Sequence, residues 1–154
     1  MEVIPRLFTI PEQSFFLFGP RGTGKSLWIR QLFEEALWVD LLDPETYRLY
    51  NSRPERLREL IEGNPRKKQV VIDEVQKVPE LLAAVHAIIE EKSQLQFVLT
   101  GSSARKLKRG GVDLLAGRAL IRTLHPFMAA ELGNVFRLDA SLRYASLLTI
   151  SNVA

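Results

Sequence analysis

Short apolar runs alternate along the chain with stretches of helical periodicity. The runs are rich in β-branched and aromatic residues, and they cover residues 14–18, 37–41, 69–72, 95–100 and 120–124. Continuous apolar runs are typical of strands buried on both faces of a parallel sheet, with helices as the covering layers. The pattern therefore predicts an α/β fold with five parallel strands.

Two of the intervening helices are predicted from the spacing of their apolar residues. One helix follows Pro79 over residues 80–91, and its predicted buried face comprises Leu81, Leu82, Val85, Ile88 and Ile89. The other begins near Gly24, and its predicted apolar face comprises Leu27, Trp28, Leu32, Phe33 and Ala36. Both helices would cover the sheet.

The segment between the second and third strands carries breaking and capping signals. Pro44 and Pro54 divide it into short pieces, and Ser52 stands three residues before Glu55, which is the spacing of a capping box. The box would begin a helix whose apolar residues are Leu57, Leu60 and Ile61. Gly63 is predicted to end that helix.

Residues 19–26 read GPRGTGKS, which matches the pattern G-x-x-x-x-G-K-[ST] between a predicted strand and a predicted helix. Glycines let successive backbone N–H groups surround a phosphate, and the start of the helix directs its positive end at the same anion. Lys25 is predicted to bridge β- and γ-phosphate oxygens, and the Ser26 hydroxyl to bind Mg²⁺. The predicted nucleotide-binding residues are Gly19, Pro20, Arg21, Gly22, Thr23, Gly24, Lys25, Ser26 and Leu27.

A pair of acids ends the third apolar run, in the sequence VVIDE. Ligands of open α/β sheets collect at the carboxyl ends of the strands, so Asp73 is predicted to hold the metal with Ser26. Glu74 is predicted to act as the base that activates the water attacking the γ-phosphate. A strand end that merely reaches solvent would explain the same two acids.

Three further residues are candidates for the reaction. Thr100 and Ser102 follow the fourth strand, and each either contacts the γ-phosphate or the water, or serves in a turn or helix cap. Arg118 follows a glycine before the last strand, where it either faces solvent or contacts the nucleotide of a neighbouring subunit in a homo-oligomer. With Lys25 and Glu74, these residues form the predicted catalytic set.

Composition narrows the class of protein. The 154 residues are 46% hydrophobic and 25% charged, with a net charge of +3 and no Cys. Disulfides and thiolate metal sites are excluded, no stretch approaches the length of a membrane helix, and a cytoplasmic location is expected. A basic run at residues 105–111 indicates either a solvated loop or a contact with nucleic acid.

Together these motifs resemble the AAA+ ATPases, and more closely a bacterial and archaeal branch of predicted ATPases with a C-terminal domain of unknown function. The similar segments are GPRGTGKS, VVIDEVQKVPELL, LTGSSARKL and LAGRAL with LHPF, together with the residues Ile4, Pro5 and Arg6. GPRGTGKS resembles the Walker A motif and VVIDE the Walker B motif, and this pair alone is typical of all P-loop NTPases. The joint presence of DEVQKVPEL and LTGSS is what points to this branch.

The resemblance implies a sheet ordered 5-1-4-3-2, ATP and Mg²⁺ as cofactors, and hydrolysis that depends on subunit contact. It also implies an ATPase core at residues 1–132 and, at residues 133–154, the start of a missing C-terminal region. A kinase built on the same loop is one rival hypothesis, although no acceptor site or Arg-rich lid is evident. The other is a nucleotide-binding interaction module with weak or no turnover, associated with nucleic acid.

Overall fold

The computed structural model describes residues 9–109 and 115–125, and it contains a parallel sheet with helices between its strands. The strands are β1 (Phe15–Phe18), β2 (Leu37–Asp40), β3 (Gln69–Asp73), β4 (Gln96–Gly101) and β5 (Leu120–Thr123). The helices are α1 (Lys25–Leu32), α2 (Pro44–Ser52), α3 (Arg56–Glu62), α4 (Leu81–Glu91) and α5 (Ala104–Arg109). Short turns at Val75–Lys77 and Leu115–Gly117 complete the described elements.

The strands lie in the order β2-β3-β4-β1-β5, and every neighbouring pair is parallel. From the other edge the order is 5-1-4-3-2, so the predicted fold class and strand order are confirmed. Phe18 pairs with Gly101 at the end of β1, and Ile72 pairs with Leu99 one residue before the end of β3. The carboxyl ends of β1, β4 and β3 therefore lie side by side.

The core covers both faces of the sheet. β1, β3 and β4 are buried almost throughout, which explains why they appear in the sequence as unbroken apolar runs. Helix α4 buries Leu81, Leu82, Val85 and Ile88, and Ile89 is partly buried against the same cluster. The predicted face of this helix is confirmed.

The predicted apolar face of α1 is wrong in part. Leu27 and Leu32 are 53% and 41% exposed, whereas Ile29 and Phe33 are buried. Lys25 is also buried, and the three buried residues are spaced by four, as neighbours on one helical face are. The inward position of Lys25 at the first turn thus determines which side of the helix faces the sheet.

The predicted capping box is also wrong. Ser52 is the last residue of α2, and its hydroxyl donates to the carbonyl of Arg48 at 2.9 Å instead of capping α3. Pro44 begins α2, because a helix needs no N–H at its first position, and Pro54 lies between α2 and α3, so the two prolines divide the segment as predicted. Asp43 caps α2 by accepting the Thr46 N–H at 2.8 Å, and this bond lowers the pKa of Asp43.

Some sequence predictions fall outside the described residues. These are the segment at residues 4–6, the boundary at residue 132 and the tail at residues 133–154. Among the described residues, no helix has the length and apolar character needed to cross a bilayer.

Gly19 directly follows β1 and packs against the chain after β5. A Cβ at this position would lie 2.2 Å from the Leu124 carbonyl oxygen, which is backbone and cannot rotate away. We expect Gly19→Ala to lower the free energy of unfolding by about 1–3 kcal/mol or more, as overpacked sites do. Urea denaturation measures this loss.

The control is Gly63→Ala at the end of α3. Gly63 has a φ of −70°, and the nearest atom to its added Cβ is the Glu59 carbonyl oxygen at 3.3 Å. This variant should change stability by less than about 1 kcal/mol. Equal stability of the Gly19→Ala variant and the unmodified chain would contradict the close packing of β1 against the chain after β5.

Candidate functional site

Residues 19–26, called the phosphate loop after their sequence motif, connect β1 to α1 at the carboxyl ends of the strands. Gly22 and Gly24 have φ values of 80° and 75°, in the left-handed region that glycine adopts without strain. Gly24 also caps α1, and the Trp28 N–H donates to its carbonyl at 2.9 Å as the first bond of the helix. Because the first N–H groups of a helix have no acceptor within it, those of Lys25, Ser26 and Leu27 are candidates to bind an anion.

Lys25 lies at the start of α1 with its residue only 5% exposed. Its ammonium Nζ donates to the Gly19 carbonyl at 2.6 Å and to the Pro20 carbonyl at 2.9 Å, so it closes over the loop that it belongs to. Burial lowers the pKa of Lys25, and the negative charges of Glu74 and Asp73 oppose that change.

Asp73 and Glu74 lie at the end of β3 and are 1% and 7% exposed. The buried hydroxyl of Thr100 joins them, because it donates to Asp73 Oδ1 and accepts the Glu74 backbone N–H at 3.0 Å. One side chain of β4 thus fixes both the carboxylate and the backbone at the end of β3. A solvated strand end, the alternative explanation for these two acids, does not describe buried and hydrogen-bonded groups.

Glu74 adopts an unusual backbone conformation, with φ 60° and ψ 47°. The left-handed region costs a residue with a Cβ about 1–2 kcal/mol, and such residues concentrate at functional sites. The Glu74 carboxylate accepts a hydrogen bond from the Gln76 side-chain amide. The turn at Val75–Lys77 makes this contact feasible, since it begins directly after Glu74 and folds the chain back toward the sheet.

The residues predicted to hold Mg²⁺ are compatible with that ion. Ser26 is partly buried in the phosphate loop, and Asp73 supplies a buried carboxylate beside the loop. A hydroxyl and a carboxylate are hard oxygen donors, and Mg²⁺ usually takes one or two of them together with phosphate oxygens and water. Among the described residues, no cluster of three or more His, Cys, Asp or Glu side chains could hold a metal without such help.

The two hydroxyl candidates have different surroundings. Thr100 is fully buried, and its hydroxyl forms hydrogen bonds with Asp73 and Glu74 at the end of β3, so it positions these two residues in this structure. Ser102 Oγ is buried and has no hydrogen-bond partner within the described part of the chain. Ser103 accepts the Arg105 N–H at 3.2 Å near the start of α5, so the capping role lies with the next residue.

Arg118 lies near the amino ends of the strands, whereas the phosphate loop lies at their carboxyl ends. It precedes β5, whose first residue Leu120 donates its N–H to the carbonyl of Ser14 at the start of β1. The four residues of β1 separate the amino ends of the strands from their carboxyl ends by about 13 Å. Arg118 forms an ion pair with Glu90 of α4.

A parallel sheet in this order, with a phosphate loop after β1 and buried acids at the end of β3, defines the P-loop NTPase class. Within that class the chain belongs to the AAA-domain family, because the family model described as "AAA domain" matches residues 11–133. No curated protein matches the chain.

Solved structures with a similar fold include the ORC1 protein of Aeropyrum pernix in complex with DNA. The TM-score is 0.51 and the identity 19%, over 84% of this chain and 44% of that chain. Domain III of the Thermotoga maritima replication initiation protein DnaA gives a TM-score of 0.45 and 14% identity, over 78% of this chain and 57% of that one.

A third similar structure is Drosophila ORC bound to GC-rich DNA and Cdc6, with a TM-score of 0.40, 15% identity, and coverage of 80% of this chain and 27% of that one. The chain therefore spans less than two thirds of each of these proteins. At such identities the likeness concerns the fold.

Proposed function

We propose that this AAA domain binds ATP with Mg²⁺ at residues 19–26 and hydrolyses it to ADP and phosphate. The loop amides hold the phosphates, and Lys25 neutralises their charge. Ser26 and Asp73 are the residues that would hold the metal, which would supply positive charge to the phosphate oxygens. Glu74 is the base.

One observation carries this proposal: the buried acids Asp73 and Glu74 follow β3 at the same end of the sheet as the phosphate loop with Lys25, because the carboxyl ends of β1, β4 and β3 lie side by side. Phosphate binding alone needs the loop and its lysine. Hydrolysis also needs a carboxylate beside the γ-phosphate, and Glu74 is held at that edge of the sheet by its backbone N–H and its side chain.

The reaction is a displacement at the γ-phosphorus. The water oxygen forms a bond to phosphorus while the bond from phosphorus to the bridging oxygen breaks, and that electron pair leaves with ADP. The proton of the water passes to the Glu74 carboxylate and then to solvent. Positioning and electrostatic stabilisation supply most of the rate in such reactions, which is why the network around Glu74 matters.

Arg118 can act on this reaction only from a second copy of the chain. It lies near the amino ends of the strands, whereas its own phosphate loop lies at their carboxyl ends, and its side chain is 39% exposed. We propose that in a homo-oligomer it leaves Glu90 and approaches the phosphates bound by a neighbouring subunit. An arginine supplied in this way stabilises the charge of the transition state.

Phosphate release from ATP, with and without Mg²⁺ and over a range of protein concentrations, tests the proposed function. The expected result is Mg²⁺-dependent release whose rate per subunit rises with protein concentration. ATP binding without release would favour the nucleotide-binding module, and transfer of phosphate to an added hydroxyl acceptor would favour the kinase. Failure to bind ATP would contradict the assignment as a whole.

Two observations make nucleic acid a candidate partner, so DNA and RNA are also added to this assay. Arg105, Lys106 and Lys108 are basic residues of the described helix α5, and Lys106 and Lys108 are exposed. The ORC1 protein of similar fold was solved in complex with DNA. Added DNA or RNA that leaves both ATP binding and phosphate release unchanged would remove nucleic acid from the proposed partners.

A further inference from the structure

The contact between Gln76 and Glu74 joins two side chains that are two residues apart and separated by a turn. Gln76 Nε2 donates to Glu74 Oε2. Within the turn, the Lys77 N–H donates a hydrogen bond to the Glu74 carbonyl at 3.0 Å, and the Val78 N–H donates one to the Val75 carbonyl at 3.1 Å. The amide of Gln76 is thereby brought back over the edge of the sheet where Glu74 lies.

Chemistry determines which end of the Gln76 amide faces Glu74. An ionised carboxylate can only accept hydrogen bonds, so the NH₂ end must point at it and the oxygen must point away. Gln76 Oε1 then lies over β4, where it is buried and has no hydrogen-bond partner among the described residues. A buried oxygen without a partner costs about 1–3 kcal/mol.

The end of β4 has the space that this arrangement requires. A Cβ on Gly101 would lie 2.8 Å from Gln76 Oε1 and 3.2 Å from the Phe18 ring. The absence of a side chain at position 101 is therefore what allows the amide to lie there. An apolar side chain at position 76 would fill the same space without a buried, unpartnered oxygen, so packing alone does not explain an amide here.

We propose that Gln76 is a positioning residue for Glu74, which means that it holds the carboxylate in the orientation from which it takes the proton of the attacking water. This inference rests on the proposed function. Thr100 holds the backbone of Glu74 from β4, and Gln76 holds its side chain from the turn. The two contacts together fix a residue whose left-handed backbone would otherwise be free to relax.

Two variants of Gln76 test the inference. Gln76→Met keeps the length of the side chain but removes the donor, and Gln76→Glu keeps its shape but places a second negative charge beside Glu74. We expect kcat to fall about 10- to 100-fold in both variants, because small displacements of a catalytic group cost that much. In Gln76→Met, the KM and the Kd for ATP should stay within about twofold of the values of the unmodified protein, and the melting temperature within a few degrees.

Gln69→Met is the matched control. Gln69 lies at the amino end of β3, and its amide donates to Gln96 Oε1 at 2.9 Å, far from the phosphate loop. This variant likewise removes a hydrogen bond donated by a glutamine side chain, at the opposite end of β3 from Glu74, and should leave kcat unchanged. A similar loss of kcat in the control and in Gln76→Met would contradict a specific role for Gln76.

A double-mutant cycle with Glu74→Gln decides whether Gln76 acts through Glu74. If it does, Gln76→Met has no further effect once Glu74 is replaced, and independent, multiplicative losses overturn the inference. Turnover that depends on Glu74 but is unchanged in Gln76→Met overturns this inference alone. The absence of any phosphate release from the unmodified protein overturns the proposed hydrolysis and this inference with it.

Discussion

Replacing Glu74 by Gln should leave ATP binding intact and remove turnover. Gln has nearly the same size as Glu, so it fits the buried position and leaves the backbone bond to Thr100 in place. Its amide cannot take a proton from water, and loss of a general base costs about 10²- to 10⁴-fold in rate. Single-turnover phosphate release measures the rate, and a fluorescent ATP analogue measures the affinity.

Glu80→Gln is the matched control for this variant. Glu80 is exposed just before α4 and makes no side-chain capping bond, so the same chemical change there should alter neither rate nor affinity. Glu74→Gln protein that turns ATP over at the unmodified rate would show that another group activates the water. Loss of ATP affinity in Glu74→Gln would instead assign the carboxylate to the binding of the nucleotide.

Replacing Lys25 by Met should remove most of the affinity for ATP while the fold is kept. Met preserves the length of a side chain that is 5% exposed, and it also removes the cost of burying a charge. Loss of one partner from a buried charge pair costs about 2–5 kcal/mol, or about 30- to 5,000-fold in Kd. Titration with the fluorescent analogue checks this, and equal affinity in variant and unmodified protein would contradict the assignment of residues 19–26.

The control and the pH dependence of binding sharpen the Lys25 result. Lys106→Met removes a charge from an exposed position on α5 and should leave affinity near the unmodified value. The pKa of Lys25 is lowered from 10.5 by burial, so its charge is lost at a lower pH than that of a free lysine. ATP affinity should therefore fall as pH rises through this lowered pKa, by at most about tenfold per pH unit for one proton.

Linkage gives the opposite sign for the stability of the nucleotide-free chain. The unfolded chain keeps its proton to higher pH than the folded chain, so unfolding becomes harder as pH rises through the lowered pKa toward 10.5. Below the lowered pKa, the folded state bears the full cost of burying the charged ammonium. Lys25→Met should lose both pH dependences, because Met has no proton to exchange.

The central strands β1, β3 and β4 were predictable because they are buried on both faces of the sheet. Burial excludes polar residues from the interior of β1, β3 and β4, so each strand appears as an uninterrupted apolar run. No observed strand bound differs from the predicted one by more than one residue. The order of the strands does not follow from these runs. It was expected from the resemblance to AAA+ ATPases, and the structure confirms it.

The helices were predictable where periodicity met no competing constraint. Helix α4 buries the predicted residues, since its position depends on packing alone. In α1 the inward position of Lys25 dictates the orientation, which leaves Leu27 and Leu32 exposed despite their apolar character. Ser52 and Glu55 had the spacing of a capping box, but α2 runs through Ser52, and α3 begins through backbone turns instead.

By itself the sequence determined the chemistry available at the site, since GPRGTGKS and VVIDE contain the lysine, the hydroxyl and the two acids that phosphate chemistry uses. Only the tertiary structure decided how these groups are held. Thr100 meets Asp73 across the β3–β4 pairing, and Gln76 meets Glu74 through a turn that begins in a left-handed conformation. Neither contact follows from spacing, because register and backbone conformation are set by packing among segments distant in the sequence.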